Sequence, residues 1–586
     1  MRLGRTKLIG AAALSLLMVT GCGKKPEEGG KKTAEGAKKA SVETPKKAKT
    51  PKLKTLEVPA SVMAYGGTSG GLAEFLNGAG AMLQAVTGQA LPAEEQAVSQ
   101  LQAELYLTSP KGLDGKGTMR VAVFDNTKFP KAPVAAVLPI SDQKAFVDSL
   151  PKKYLKEKDE GNAYSYLKYE GAKPPVYINF IGKSVVVTRH PGQFGEFKSF
   201  FESLSTAALL KGGSLVVRLD HIAAVHKDAI AAFFTEMRAE MTSNLKQMQN
   251  PAAEAMVEGI VDFMESAVRD LSALHVNLDI GAEGAGLKMV FAPKLEAELS
   301  RTFRGLEGKP VQLVGKFPPE SPFFTSMTLP METLSKFATS IMSAVAADPE
   351  QGKALAASMD EVMKLLGNEM MIAAHPDPSG TGLALSAMMR MQQGQGSKFP
   401  GLMSKLYNDP VYVASNEKLG VKVEYTAEAY EVSGVKVATS KTVMKDLPPE
   451  AMAMMGMMES FTEQHFAIKD DLMYVGYGPG SKPVLEALLG GQMAGGLDKA
   501  KGPARALKTA APNAFMIMYV NPVEVAKRLA LGGMNPYVSL LKDIQAETGL
   551  TISMGAEGGQ LQFRIDVPTE LAQKAFAAVQ KGMGAF

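Results

Sequence analysis

A strand–turn–strand–helix pattern that occurs twice constrains the fold more than any other feature. Between His275 and Gly305, apolar residues alternate with polar ones on both sides of a glycine-rich turn, and further apolar residues then follow at helical spacing. Alternation with a period of two predicts half-buried strands, and the later spacing predicts an amphipathic helix. The same succession returns over residues 550–579. The chain is therefore expected to close each of two halves with the same unit.

The two copies align through their turns. Residues 281–284 and 555–558 both read Gly-Ala-Glu-Gly, which sets an offset of 274 residues for the strands, while the helices match after a slip of about two. We predict an α+β fold made by internal duplication, with a mostly antiparallel sheet in each half covered by amphipathic helices. The predicted halves are residues 56–308 and 309–586.

The halves differ in the length of one segment. From Asp220 to Gly281 the numbering advances by 61, whereas from Asn521 to Gly555 it advances by 34. The first half thus carries about two dozen extra residues of amphipathic helix within 220–271. Two interpretations stay open: these helices pack on their own sheet, or they form a lid or an interaction arm.

Local patterns add expectations for single elements. Residues 104–108 and 118–124 flank a turn and predict a hairpin. Asp142 and Asp220 are expected to cap helices, because a carboxylate can accept a hydrogen bond from the first turn. Tyr412 is assigned to a strand.

The N-terminus has the composition of an export signal. Arg2, Arg5 and Lys7 precede an apolar run over residues 8–19, which is short for a membrane span. Residues 19–22 read Val-Thr-Gly-Cys, and this resembles the lipobox of bacterial lipoproteins. The resemblance implies that residues 1–21 are a signal peptide and that Cys22 becomes the acylated mature N-terminus.

Cys22 is also the only cysteine of the chain. An intramolecular disulfide is thereby excluded, so packing must stabilise the protein outside the reducing cytoplasm. The acyl chains predict an anchored protein whose first partner is membrane lipid. Gly23 follows the cysteine, where enteric lipoproteins retained at the inner membrane carry an aspartate. We therefore expect the bacterial outer membrane, with the body facing the periplasm.

Residues 22–55 form a lysine-rich tether with little to bury, for which we predict disorder. Residues 23–55 hold 11 Lys and 4 Glu, a net charge of +7. Subtracting this and the +3 of the signal from the +4 of the whole chain leaves −6 for residues 56–586. The basic pI of 8.6 belongs to the tether, and a nucleic-acid partner is not expected.

Ser69 is the strongest candidate for catalysis. It lies at the centre of a G-x-S-x-G pattern over residues 67–71, between a predicted strand and a predicted helix, as in the nucleophile elbow of α/β-hydrolases. His190, His221 or His275 are the candidate bases. No strand–helix alternation precedes the pattern and no oxyanion motif accompanies it, so a capped loop explains Ser69 better and we predict no enzyme.

Neither a metal nor a cofactor is expected. The six histidines are scattered without the spacing of a zinc site. The 35 methionines, including those at 388, 389, 391 and 452–458, admit three interpretations: irregular core filling, an adaptable cavity for lipid-like ligands, or Cu(I) ligands. Core filling is favoured because the chain has no tryptophan.

These features predict a membrane-anchored envelope lipoprotein with a non-catalytic binding or scaffold role towards another envelope protein. The alternative is a carrier of lipid-like apolar ligands, and the remaining alternative is a serine hydrolase using Ser69.

Overall fold

A computed structural model confirms a mixed α+β protein with a large antiparallel sheet. The residues that it describes are 56–68, 84, 99, 102, 105, 107–109, 111–129, 133–158, 165–169, 175–207, 212–246, 261–262, 264–328, 349–376, 382–418, 421–444, 462–478, 481–491, 495–531, 545–574 and 577.

The described residues of the first half include ten strands, and successive side chains of a strand point to opposite faces. They are β1 (Val62–Thr68), β2 (Met119–Phe124), β3 (Val134–Pro139), β4 (Tyr154–Lys158), β5 (Ser165–Tyr169), β6 (Val176–Ile181), β7 (Ser184–Thr188), β8 (Gly213–Val217), β9 (Leu271–Gly281) and β10 (Gly284–Pro293). Its described helices are α1 (Gln143–Asp148), α2 (Gly192–Glu196), α3 (Lys198–Thr206), α4 (Leu219–Val225), α5 (Lys227–Lys246) and α6 (Glu298–Gly305).

The described residues of the second half include ten more strands. They are β11 (Phe323–Met327), β12 (Leu366–Pro376), β13 (Leu383–Met391), β14 (Val421–Val432), β15 (Val435–Met444), β16 (Glu463–Lys469), β17 (Leu472–Tyr477), β18 (Ala514–Val520), β19 (Leu550–Glu557) and β20 (Gln560–Pro568). Its described helices are α7 (Pro349–Met363), α8 (Phe399–Tyr407), α9 (Pro410–Lys418), α10 (Ser481–Leu489), α11 (Lys501–Thr509) and α12 (Pro522–Leu531), with 3₁₀ turns at Leu313–Lys316, Gly396–Lys398 and Leu497–Lys499.

All twenty strands belong to one sheet. In the first half the strands lie side by side in the order β4-β5-β6-β7-β3-β2-β1-β8-β9-β10. In the second half the order is β14-β15-β16-β17-β13-β12-β11-β18-β19-β20. Antiparallel pairing of β10 with β20 joins the two at the centre, with Lys288 directly opposite Arg564.

The offset of 274 residues is wrong for the hairpins. The β9–β10 turn is at Ala282-Glu283, and the β19–β20 turn is at Gly558-Gly559. Residue 282 therefore corresponds to residue 558, an offset of 276. Gly558 and Gly559 have φ values of 59° and 81°, which glycine adopts more easily than other residues. A two-residue hairpin turn with positive φ at both positions therefore forms at these two glycines. The second Gly-Ala-Glu lies inside β19 instead.

Helices cover both faces of the sheet. In the second half, α10, α11 and two of the 3₁₀ turns pack on one face with Phe324, Met371 and Ile517. Helices α7 and α8 pack on the opposite face against Ala387, Met473 and Val475. In the first half, α2 and α3 cover the face that carries Phe124, while α1 covers the face that carries Ile178.

Three local predictions are wrong. Strand β2 pairs with β1 and β3 rather than with residues 104–108, and the described residues there are not in a strand. Tyr412 lies in α9. Asp220 lies in the first turn of α4, whose N-cap is Arg218. By contrast Asp142 does cap α1, since its side chain accepts from the backbone N–H of Ala145 at 3.0 Å.

The extra helical segment of the first half packs on itself. Phe234 of α5 and Val261 are buried together, and the half-buried residues around them are Ile230, Met237, Met241, Met264 and Val268. Among the described residues this cluster contains no strand residue. The prediction that these helices pack on their own sheet therefore does not describe this cluster, although α4 does contact β9.

Candidate functional site

The two residues singled out for lipidation and catalysis, Cys22 and Ser69, lie outside the described residues. Thr68 ends β1 immediately before Ser69, and its backbone pairs with Met119 and Gly213. The strand context predicted for the G-x-S-x-G pattern is therefore present on its N-terminal side, but this strand is antiparallel to both neighbours. A nucleophile elbow normally ends a strand of a mainly parallel sheet.

The three candidate bases lie in different parts of the first half. His275 is on β9, in line with Val216 of β8 and Tyr65 of β1. Thr68 is three residues further along β1, which places its Cα roughly 14 Å from that of His275. His190 follows β7, three strands away from β1, and His221 lies in α4. The structure does not bring these histidines together.

Burial affects two of these histidines electrostatically. Desolvation lowers the pKa of His275, and it also lowers that of His221, where the nearby Arg218 cation adds to the effect and Asp220 opposes it. Both imidazoles are thereby favoured in the neutral form.

The structure reveals a serine–histidine pair that the sequence did not indicate. His375 of β12 and Ser386 of β13 are both fully buried. The His375 Nδ1–H donates to the carbonyl of Pro376 at 3.2 Å, and the Ser386 hydroxyl donates to Nε2 at 2.9 Å. A nucleophile and base meet at this distance, but zero exposure denies a substrate access. The pair satisfies two buried polar groups.

A second polar cluster lies near the start of α10. The His465 Nε2–H donates to Glu463 at 2.9 Å, and the Tyr430 hydroxyl donates to Nδ1 at 2.6 Å. Burial, followed by the carboxylates of Glu486 and Glu463, raises the pKa of Tyr430 to about 12. The phenol therefore stays protonated at neutral pH and acts as a hydrogen-bond donor. Tyr430 and His465 are 35 positions apart in sequence, so no local motif could have identified this cluster.

Methionines form an ordered line across the second half. Six adjacent strands each place one methionine directly opposite the next. We call this set the methionine row: Met554, Met516, Met327, Met370, Met389 and Met473. Met554 and Met473 are buried and the other four are half-buried. The methionines at 452–458 lie outside the described residues.

The same face continues across the central joint between β10 and β20. We define the central apolar patch as eight half-buried side chains on β8, β9, β10, β20, β19 and β18: Leu215, Val276, Leu278, Leu287, Met289, Ile565, Ile552 and Met518. In the part of the chain that the structure describes, none of the eight joins a buried hydrophobic cluster or packs against one.

On β9, β10 and β20 the opposite face is mainly polar. Successive residues of a strand point to opposite faces, so Asn277 and Asp279 of β9 and Lys288 of β10 lie behind the patch. Asp566 of β20 is buried there and pairs with Arg505 of α11 at 3.1 Å. Strands β9, β10 and β20 are thus amphipathic: one side is polar, and the patch residues on the other side join no hydrophobic cluster of the described residues.

Among the described residues, every helix falls short of the length and apolarity that a bilayer span requires. The same residues contain no group of three or more His, Cys, Asp or Glu side chains that could hold a metal ion.

Comparison of the chain with protein-family models, with curated proteins and with solved structures finds no match.

Proposed function

We propose that the protein is a non-catalytic lipoprotein of the bacterial cell envelope, anchored through acylated Cys22, that holds apolar chains against its central apolar patch. The single observation that carries the binding role is the patch itself. Eight apolar side chains on six neighbouring strands are half-buried although the strands lie in the middle of the sheet. Contiguous apolar surface of this kind marks a binding site on a folded protein.

The chemistry of the patch favours hydrocarbon as the occupant. None of its eight side chains is aromatic, charged or able to form a strong hydrogen bond. Protein interfaces are instead centred on Tyr, Trp and Arg anchors. Methionine and branched aliphatic residues adapt to flexible chains without directional contacts. An acyl chain therefore fits better than the alternative occupant, an envelope protein held in a scaffold.

Anchoring supports the same role. A lipidated Cys22 followed by a tether would keep the body within roughly 30 Å of a membrane surface, where acyl chains are the available apolar ligands. The lipobox-like residues 19–22 and the single cysteine support this part of the proposal.

The binding role is tested with the full chain carrying Cys22→Ser, which cannot be acylated. We expect native mass spectrometry to find co-purified lipid and a fluorescent fatty acid to bind after its removal. Met289→Glu places a charge on the patch and should abolish binding. Val290→Glu is the matched control, because the neighbouring side chain leaves the other face of β10. Recovery of a protein bound to the patch, with no lipid, would favour the scaffold.

The anchor is tested by metabolic labelling with a palmitate analogue in a bacterial host. Label and membrane association should depend on Cys22, and Cys22→Ser should move the protein to the soluble fraction. A variant that fractionates like the unaltered chain would remove the lipoprotein assignment. A fluorophosphonate probe that labels Ser69 would contradict the non-catalytic role.

We also infer that the halves arose by internal duplication. The support is that ten strands of each half follow the same order and that the turns of the two closing hairpins are 276 residues apart. When sequences of homologues are compared, alignments of the two halves should superimpose with this offset. Unrelated profiles for the halves would contradict the inference.

A further inference from the structure

A cavity of about 390 Å³ lies where the link between the halves meets the start of β12 and the end of β13. Its volume falls within the range of small-molecule sites, roughly 300–1,000 Å³. The charged and amide side chains around it are Lys309, Gln312, Asn368, Glu369, Arg390 and Gln392. The cavity takes no part in the apolar patch or in the acyl anchor.

Glu369 is the fixed centre of the cavity wall. It is 5% exposed, and its Oε1 accepts hydrogen bonds from the backbone N–H groups of Gln312 and Leu313, the latter at 2.7 Å. Its Oε2 accepts from Nε of Arg390 at 2.9 Å. Three donors therefore satisfy the carboxylate, which has little capacity left to attract a cation.

Arg390 is held in place by two acceptors. Besides the bond to Glu369, its Nη2 donates to the side-chain oxygen of Gln312 at 2.6 Å. Its Nη1 donates to no described residue, and the side chain is 39% exposed. A guanidinium oriented in this way loses little rotamer freedom when it binds a ligand.

The groups that remain unused at the cavity are mainly donors. Lys309 and Asn368 both line the cavity and are exposed, the first with an ammonium group and the second with an amide. The amide nitrogen of Gln392 is already occupied by the carbonyl of Leu366 at 3.1 Å. A ligand that supplies acceptor oxygens and negative charge matches this set, because charge-assisted bonds to Arg and Lys are the strongest available.

We propose that this cavity binds the carboxylate or phosphate group of a small anion, with Arg390 Nη1 and Lys309 Nζ as its ligands. Glu369 and Gln312 act as positioning residues that hold the guanidinium. The corresponding positions of the first half, by strand order and register, are Thr118 for Glu369 and Pro139 for Arg390, so the site belongs to the second half alone.

Isothermal titration calorimetry of the full chain carrying Cys22→Ser tests the proposal at low ionic strength. The titrants are inorganic phosphate, succinate and the soluble lipid dihexanoyl phosphatidic acid. At least one should bind, with an affinity that falls as salt is raised. Lys309→Met should weaken binding roughly tenfold. Lys316→Met, which removes a nearby exposed lysine that does not line the cavity, should leave the affinity unchanged.

A second variant removes the guanidinium without leaving Glu369 unpaired. Arg390→Gln combined with Glu369→Gln keeps a hydrogen-bonded pair and should abolish binding while thermal unfolding changes little. Tighter binding of phosphatidic acid than of phosphate would assign a lipid headgroup, and equal binding would assign a free anion. Absence of heat with all three titrants at millimolar concentration, or binding that neither variant affects, would overturn the proposal.

Discussion

The two halves have the same strand order but different interiors. On the face that α2 and α3 cover, the first half packs phenylalanines: Phe124, Phe129, Phe194, Phe197, Phe200 and Phe201. The corresponding face of the second half packs mostly Leu, Met, Ala and Val with two phenylalanines. The positions of Phe124 and Ala135 are taken there by the buried pair His375 and Ser386.

The difference shows that strand order does not depend on one particular interior. Backbone hydrogen bonds define the sheet, and side chains of suitable volume and polarity pattern can be exchanged beneath it. The second half uses this freedom for polar groups. The Glu369–Arg390 pair, the His375–Ser386 pair and the cluster of Tyr430, Glu463 and His465 all lie there.

The largest expected effect concerns the aromatic interior. Phe124 is 1% exposed and its ring lies 4.8 Å from that of Phe197 and 5.5 Å from that of Phe129. Phe124→Ala should lower the free energy of unfolding by about 3–5 kcal/mol, measured by urea titration with circular dichroism. Phe233→Ala is the control, since Phe233 is 49% exposed. Equal losses in both variants would mean that the aromatic cluster does not stabilise the half.

The next effect tests whether the interiors are interchangeable. His375→Ala alone should cost about 2–3 kcal/mol, because it opens a cavity and leaves the Ser386 hydroxyl without its acceptor. His375→Phe with Ser386→Ala copies the first half and should cost less than about 1.5 kcal/mol. Urea titrations of both variants give the comparison. A double variant as unstable as the single one would show that the second half requires its polar pair.

A smaller effect distinguishes the halves by pH. By register, Thr551 occupies in the second half the position of His275 in the first. Because burial lowers the pKa of His275, the unfolded chain binds a proton more readily than the folded one. Stability should therefore fall as the pH drops through the ordinary histidine range near 6.5. His275→Thr should flatten this dependence in urea titrations between pH 7.5 and 5.5, leaving a part due to His221. An unchanged slope would exclude His275 as its source.

The smallest effect concerns the pairing of β10 with β20, where two positively charged side chains face each other. Lys288 and Arg564 are directly opposite in β10 and β20, and like charges in that position repel. Lys288→Glu should raise the free energy of unfolding by about 0.2–1 kcal/mol at low salt. Lys288→Gln should give a smaller gain, since it only removes repulsion. A gain that persists at 1 M salt would not be electrostatic.

The sequence predicted the strands of the closing hairpins and the turn of the first, but neither the turn of the second nor the pairing of β10 with β20. Alternation located β9, β10, β19 and β20, and Asp142 was correctly identified as a cap. The turn of the second hairpin was misplaced by two residues because a Gly-Ala-Glu-Gly match was preferred to the paired glycines 558 and 559. The sequence did not predict the polar clusters. His375, His465 and Arg390 have hydrogen-bond partners on other strands, and local sequence spacing does not show which strands are neighbours.

The amino-acid order alone determined which residues alternate, and therefore that β9, β10 and β20 have one apolar and one mainly polar face. That property is local, because a period of two requires only neighbouring residues. Tertiary structure decided that β10 pairs with β20, that six methionines fall into one row, and that part of the apolar face joins no buried cluster of the described residues. Strand pairing uses backbone groups that every residue carries, so the choice of neighbour depends on how the whole chain packs.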